Sequence, residues 1–143
     1  MNFYNLVGKP RSFSFVEYMP GYFAKLNKYL EAGYFPVSIA RYNPKVIKLM
    51  LWVRIAPSHD ILSNYKSGKI DTVEYELKYT LQLQNTDIMK DWNYLMDVVA
   101  RLEKPYKGIV FVCYEKSDDF CHRHIFAEYM RTHFNIDIEE LII

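Results

Sequence analysis

Lys107-Gly108-Ile109-Val110-Phe111-Val112-Cys113-Tyr114 is an unbroken apolar run bounded by turn residues. A strand with one wet face alternates polar with apolar, whereas a strand covered on both faces does not. This run therefore reads as a central strand of a parallel sheet. It is followed by the polar loop Glu115-Lys116-Ser117-Asp118-Asp119-Phe120, a helix from Cys121 to about Phe134, and a last short strand at Ile136-Asp137-Ile138-Glu139. Upstream, Phe35-Pro36-Val37-Ser38-Ile39-Ala40 is a second short buried strand, and the ring of Pro44 forces the chain out of regular structure soon after it. Arg41 thus stands at the carboxyl end of that strand, as Cys113 does at the end of the first. The two strands are expected to be parallel members of one sheet.

Working outward, Ser12 to Tyr18 alternates as a strand does. From Tyr22 the apolar positions Phe23, Leu26, Tyr29 and Leu30 recur at helical spacing, with Gly33 as the stop. Val46 to Ile55 is apolar enough for a strand and long enough for a helix, so the pattern leaves both open. Ser58 caps a short helix closed by Ser67-Gly68. Asp71, with Glu74 three residues on, opens a helix to about Gln84, and Asp87 opens another to about Glu103, stopped by Pro105. Strands separated by helices imply a three-layer α/β domain with a mainly parallel sheet flanked by helices. Residues 1–143 read as one domain, with residues 1–11 as an appended arm or edge strand.

Composition bounds the function. A chain of 143 residues, half hydrophobic and 24% charged, has the balance of one globular domain. A net charge of +1 gives no electrostatic surplus for nucleic acid or an anionic membrane, so both are disfavoured as partners. No apolar run reaches the roughly 18 residues of a membrane span, and the N-terminal residues lack a signal-peptide pattern, so a cytoplasmic protein is expected. Aromatic residues make up 17% of the chain, which suits a core with hydroxyls at its rim or a tyrosine-lined pocket or interface.

The chemistry gathers around the helix that follows the central strand. At 100° per residue, His122, Ile125, Phe126, Tyr129 and His133 share one face, and His124, Glu128 and Arg131 share the opposite one. Cys121, at the helix start, meets unpaired backbone N–H groups and the positive end of the helix dipole, with Arg123 beside it, so its thiolate should be stabilised. Arg41, Arg123 and the N–H groups of the 115–121 loop could together receive a phosphate or carboxylate. In the competing reading Arg41 pairs with an internal carboxylate such as Glu115 and only braces the loops.

Three sharper sites fail on spacing. Position six beyond Cys113 is Asp119 and beyond Cys121 is Ala127, so the Cys-to-Arg spacing of a phosphatase phosphate loop is missing. Cys113, Cys121 and His122 offer three metal ligands without an evident fourth, because His133 lies about 16 Å along the helix; no metal is expected. No Gly-rich dinucleotide or Walker pattern occurs, and no cofactor is implied.

Val37-Ser38-Ile39-Ala40-Arg41-Tyr42-Asn43-Pro44-Lys45, Ala56-Pro57-Ser58 with Tyr65-Lys66, and Cys113-Tyr114-Glu115-Lys116 followed by Cys121-His122-Arg123-His124 together resemble the domain-of-unknown-function family 488. The likeness runs from about residue 20 to 141. It implies a small cytoplasmic α/β domain and carries the family motif onto Arg41, Cys113, Glu115, Cys121, His122 and Arg123. The first twenty residues and the uninterrupted run from Leu49 to Ile55 depart from the family pattern.

Two functions are then open. In an enzyme, Cys121 is a thiolate nucleophile or redox thiol, His122 the general acid/base, and Glu115 its orienter or a second proton carrier. Arg41 and Arg123 clamp an anionic, phosphorylated or nucleotide-like small molecule, with Cys113 and Tyr42 lining the site. In a binding module the same crevice holds a nucleotide-like ligand without chemistry, and Tyr42, Tyr75 and Tyr79 supply stacking surfaces. A homo-oligomeric interaction protein with a tyrosine-rich surface is the third reading.

Overall fold

The computed structural model describes residues 13–16, 22–41, 50–102, 106–112 and 122–140. In chain order these form β1 (Phe13–Val16), α1 (Tyr22–Glu31), β2 (Tyr34–Ser38), β3 (Met50–Leu51), a 3-10 turn (Val53–Ile55), α2 (His59–Lys66), α3 (Thr72–Gln84), α4 (Ile88–Ala100), β4 (Gly108–Val112), α5 (His122–Phe134) and β5 (Glu139–Glu140). The expectations for residues 1–11, and those for Tyr42, Cys113, Glu115 and Cys121, fall outside the described residues.

The strands form one sheet in the order β3-β2-β4-β1-β5. Every pairing is parallel. Three full strands, β2, β4 and β1, make its body, and the two-residue strands β3 and β5 close its edges. As the sequence indicates, β2 and β4 are parallel members of this sheet; they are direct neighbours, with Val37 opposite Phe111 and Ser38 opposite Val112. The connections explain the layering. From β1 to β2 and on to β3 the chain moves toward one edge of the sheet, and from β3 to β4 and on to β5 it moves toward the other. Right-handed crossovers then place α1 on one face and α2 to α5 on the other, giving the three-layer α/β arrangement. β4 is buried at every position, which is why its sequence does not alternate.

Local signals set the helix ends. The Ser58 hydroxyl accepts from the Ile61 N–H at 3.2 Å, and the Asp71 carboxylate accepts from the Glu74 N–H at 2.9 Å. Asp87 likewise caps α4, by accepting from the Lys90 N–H at 3.3 Å. Gly33 and Gly68, at φ +94° and +78°, supply the left-handed residue after α1 and α2. α4 ends at Ala100 rather than near Glu103, because Arg101 already caps it through bonds from its N–H to Asp97 and Val98. The ambiguous apolar run resolves, in its described part, as an edge strand and a 3-10 turn. At the C-terminal end, Ile136 and Ile138 turn into the core, and the strand that pairs with β1 is Glu139–Glu140.

Between the sheet and α2 to α5 lies an aromatic core. Phe111 packs edge-on to Phe126 at 5.5 Å and tilted to Trp92 at 5.9 Å, and Trp52 meets Phe126 edge-on at 5.7 Å. Trp52 and Trp92 are 6.2 Å apart. Offset and edge geometries of this kind add about 0.5–1.5 kcal/mol per pair beyond burial. This core fixes α4 and α5 against the carboxyl half of the sheet.

Candidate functional site

β2 runs one residue past its last ladder position, because the Ile39 N–H donates to the Val112 carbonyl at 2.9 Å. The Ala40 N–H is then turned onto the Ser38 hydroxyl at 3.2 Å, which ends the strand. The Ile39 carbonyl faces α5, where it accepts a hydrogen bond from His122 Nε2 at 2.8 Å. A carbonyl can only accept, so Nε2 carries the ring hydrogen. His122 is completely buried, and the Tyr79 ring stands edge-on to it at 5.6 Å and 87°. The first residue of α5 is thereby pinned to the carboxyl end of β2, two residues before Arg41.

Arg41 is half-buried and reaches across to the segment before α2. Its Nε donates to the Pro57 carbonyl at 3.0 Å and its Nη2 to the Ala56 carbonyl at 3.1 Å. Gln82 of α3 grips the same segment. Its amide nitrogen donates to Ala56 and Arg54 carbonyls at 2.6 and 3.2 Å, and its oxygen accepts from the Ser58 N–H at 2.9 Å. The Tyr79 hydroxyl donates to the Ile55 carbonyl at 2.5 Å. Four successive carbonyls, Arg54 to Pro57, are therefore held by side chains rather than by a strand or helix. Arg41 thus braces the 56–57 loop through backbone carbonyls, and it brings a permanent cation to the end of β2.

The connection leaving β2 and the one leaving β4 run to opposite edges of the sheet. In open parallel sheets ligands bind at such switch points. Arg41 follows β2, and His122 opens α5, the helix after β4. Arg123 is also in the first turn of α5 and is 6% exposed. Of the seven residues singled out in the sequence, the structure describes Arg41, His122 and Arg123, and it ties His122 to Ile39, two residues before Arg41.

Two assignments change. Tyr75 and Tyr79 are 2% and 0% exposed, so neither offers a stacking surface to a ligand. Tyr75 packs on Tyr65 and Tyr79 in the core, and the Tyr79 hydroxyl is committed to Ile55. His133 lies on the buried side of α5 by angle, yet it is exposed and stacks flat on Tyr129 of its own helix at 3.9 Å. His124 is exposed as expected. Its helical neighbour Glu128 is bonded by Arg131 and by Thr132. Gln82 escaped the sequence reading. The available signal was Ala56-Pro57-Ser58, where a proline interrupts the backbone donors and leaves neighbouring carbonyls for side chains to satisfy.

A family model described as the active DUF488-N3 subclade matches residues 28–133. The chain belongs to the DUF488 family. The matched span begins within α1 and ends in the last turn of α5, so it contains Arg41, the 54–58 segment, Gln82 and His122. In this DUF488 chain the carboxyl ends of β2 and β4 lie within the matched span. No curated protein and no solved structure matches the chain. No group of three or more metal-ligating side chains gathers among the described residues, and no described helix is long and apolar enough to cross a membrane.

Proposed function

We propose that this DUF488 chain is a cysteine-dependent enzyme acting on an anionic, phosphorylated or nucleotide-like small molecule in the crevice between the ends of β2 and β4. The observation that carries the reading is the 2.8 Å bond from His122 Nε2 to the Ile39 carbonyl. It anchors the first turn of α5 beside Arg41, so the helix N-terminus, Arg41 and Arg123 bring positive potential to one place. Cys121, immediately before α5, is the nucleophile, its thiolate favoured by that potential. His122 holds the helix start in position. Because Nε2 is committed to Ile39, any proton it exchanges moves through Nδ1. Glu115 is the second proton carrier, and Cys113 and Tyr42 line the crevice.

A non-catalytic binding module is the second reading, favoured by the complete burial of His122. The test is the rate of iodoacetamide labelling at Cys121 and Cys113 against pH, resolved by peptide mass spectrometry, with and without adenosine monophosphate. An enzyme of this kind labels first at Cys121, with an apparent pKa below the free-thiol value of about 8.5, and the nucleotide slows that labelling. Labelling of Cys121 no faster than Cys113 removes the nucleophile assignment. If the nucleotide still binds the Cys121→Ser variant within a few-fold, the binding module takes its place.

A further inference from the structure

We propose, on the reading of Arg41 as an anion clamp, that Gln82 is a positioning residue which sets the Arg41 guanidinium through the Ala56 carbonyl. Gln82 Nε2 donates to that oxygen at 2.6 Å and Arg41 Nη2 donates to the same oxygen at 3.1 Å. A carbonyl oxygen has two lone pairs, so it accepts from both at once. Where the oxygen stands therefore decides where the guanidinium stands. The other printed anchor of Arg41 is the adjoining carbonyl of Pro57, at 3.0 Å from Nε. Both anchors belong to the 54–58 segment, and Pro57 has no N–H to tie that segment into a ladder or a helix.

The Gln82 amide holds the segment in one orientation. Its oxygen accepts from the Ser58 N–H at 2.9 Å, which leaves its nitrogen to donate to Ala56 and, at 3.2 Å, to Arg54. The amide thus grips the chain on both sides of Pro57. Gln82 is itself carried on α3 next to Leu83, which is buried as Tyr79 is one turn back. A side chain on a packed helix is a more exact mount than one on a loop. Arg41, by contrast, leaves the end of β2 on a long side chain with large rotamer freedom. To present its charge in one direction it needs an outside reference, and the Ala56 oxygen held by Gln82 is that reference. Fixing the arginine beforehand strengthens anion binding, because the cost of ordering it does not fall on the binding step. Gln82 acts through Arg41 and touches no ligand.

Isothermal titration calorimetry of the full chain with adenosine monophosphate, alongside thermal melting of each variant, reads the effect. Gln82→Met keeps the volume, removes the donor and the acceptor, and weakens nucleotide binding roughly tenfold. Arg41→Met weakens it at least as much. The double variant binds no worse than Arg41→Met alone, because Gln82 acts only through the arginine. Gln82→Asn, one methylene shorter, weakens binding in the same direction and replaces Gln82→Met in the cycle if the methionine variant does not fold. Losses that add in the double variant overturn the proposal, since Gln82 then affects binding by a route other than Arg41. So do Gln82 variants that bind like wild type while Arg41→Met does not, a result that leaves the anion site standing. A wild type that binds neither adenosine monophosphate nor inorganic phosphate, or whose binding is unmoved by Arg41→Met, removes the anion clamp and the role of Gln82 with it.

Discussion

Replacing His122 by Phe removes a hydrogen-bond donor while keeping a ring in the same space. In the native chain the Ile39 carbonyl is buried and accepts from His122 at 2.8 Å. Phe leaves that acceptor without this donor, which costs about 1–3 kcal/mol. The edge-on contact with Tyr79 survives in kind, so the about 0.5–1.5 kcal/mol of an aromatic pair is retained. His122→Ala loses the donor, the ring contact and the filled volume together, and large-to-small truncation of an aromatic costs about 3–5 kcal/mol. At this chain length one kcal/mol shifts the melting temperature by roughly 3–5 °C. The expected order is wild type, then Phe lower by roughly 3–15 °C, then Ala lower again. Urea unfolding followed by tryptophan fluorescence measures it, since Trp52 and Trp92 lie in the adjoining core. A Phe variant within about 0.5 kcal/mol of wild type, the range of an inconsequential surface change, refutes the claim that this bond pins α5 to β2.

Asp71→Ala removes the cap of α3 and costs about 1 kcal/mol, read as a lower urea midpoint with an unchanged slope. Gln82→Met leaves volume similar but takes a donor from the Ala56 and Arg54 carbonyls and an acceptor from the Ser58 N–H. Faster amide exchange confined to residues near 54–61 is the expected outcome, and uniform acceleration across the chain contradicts it. Burial raises the phenol of Tyr29 above its ordinary value of 10.0. The unfolded chain therefore ionises first, so stability is full below pH 10 and falls as pH rises toward the folded value. Tyr29→Phe flattens that alkaline decline; an unchanged decline assigns it to other groups.

Much of this was legible because local chemistry and tertiary context agree. Val110 and Val112 read as a buried strand because both faces of β4 are covered, and Asp71 and Ser58 read as caps because the bonds that cap a helix are local. The placement of Arg41 at the end of β2 followed from the strand itself. The partner of His122 did not, because a bond to Ile39 joins residues far apart in sequence, and nothing in either segment names the other. The tyrosines misled for a related reason. Tyr75 and Tyr79 have the amphipathic character of ligand-stacking groups, but only the packing of α3 on its neighbours decides that they face inward. The edge strand β3 was ambiguous because two residues carry no periodicity.

The most direct test of the crevice is a titration with adenosine monophosphate, followed through the backbone amide resonances of the native chain. The anion site predicts saturable shifts at His122 and Arg123 in the first turn of α5 and at Arg41 after β2, reaching completion by about millimolar ligand. Shifts confined to other surfaces, or none at these three residues while Cys121 still labels fastest, would contradict the claim that this crevice receives an anion.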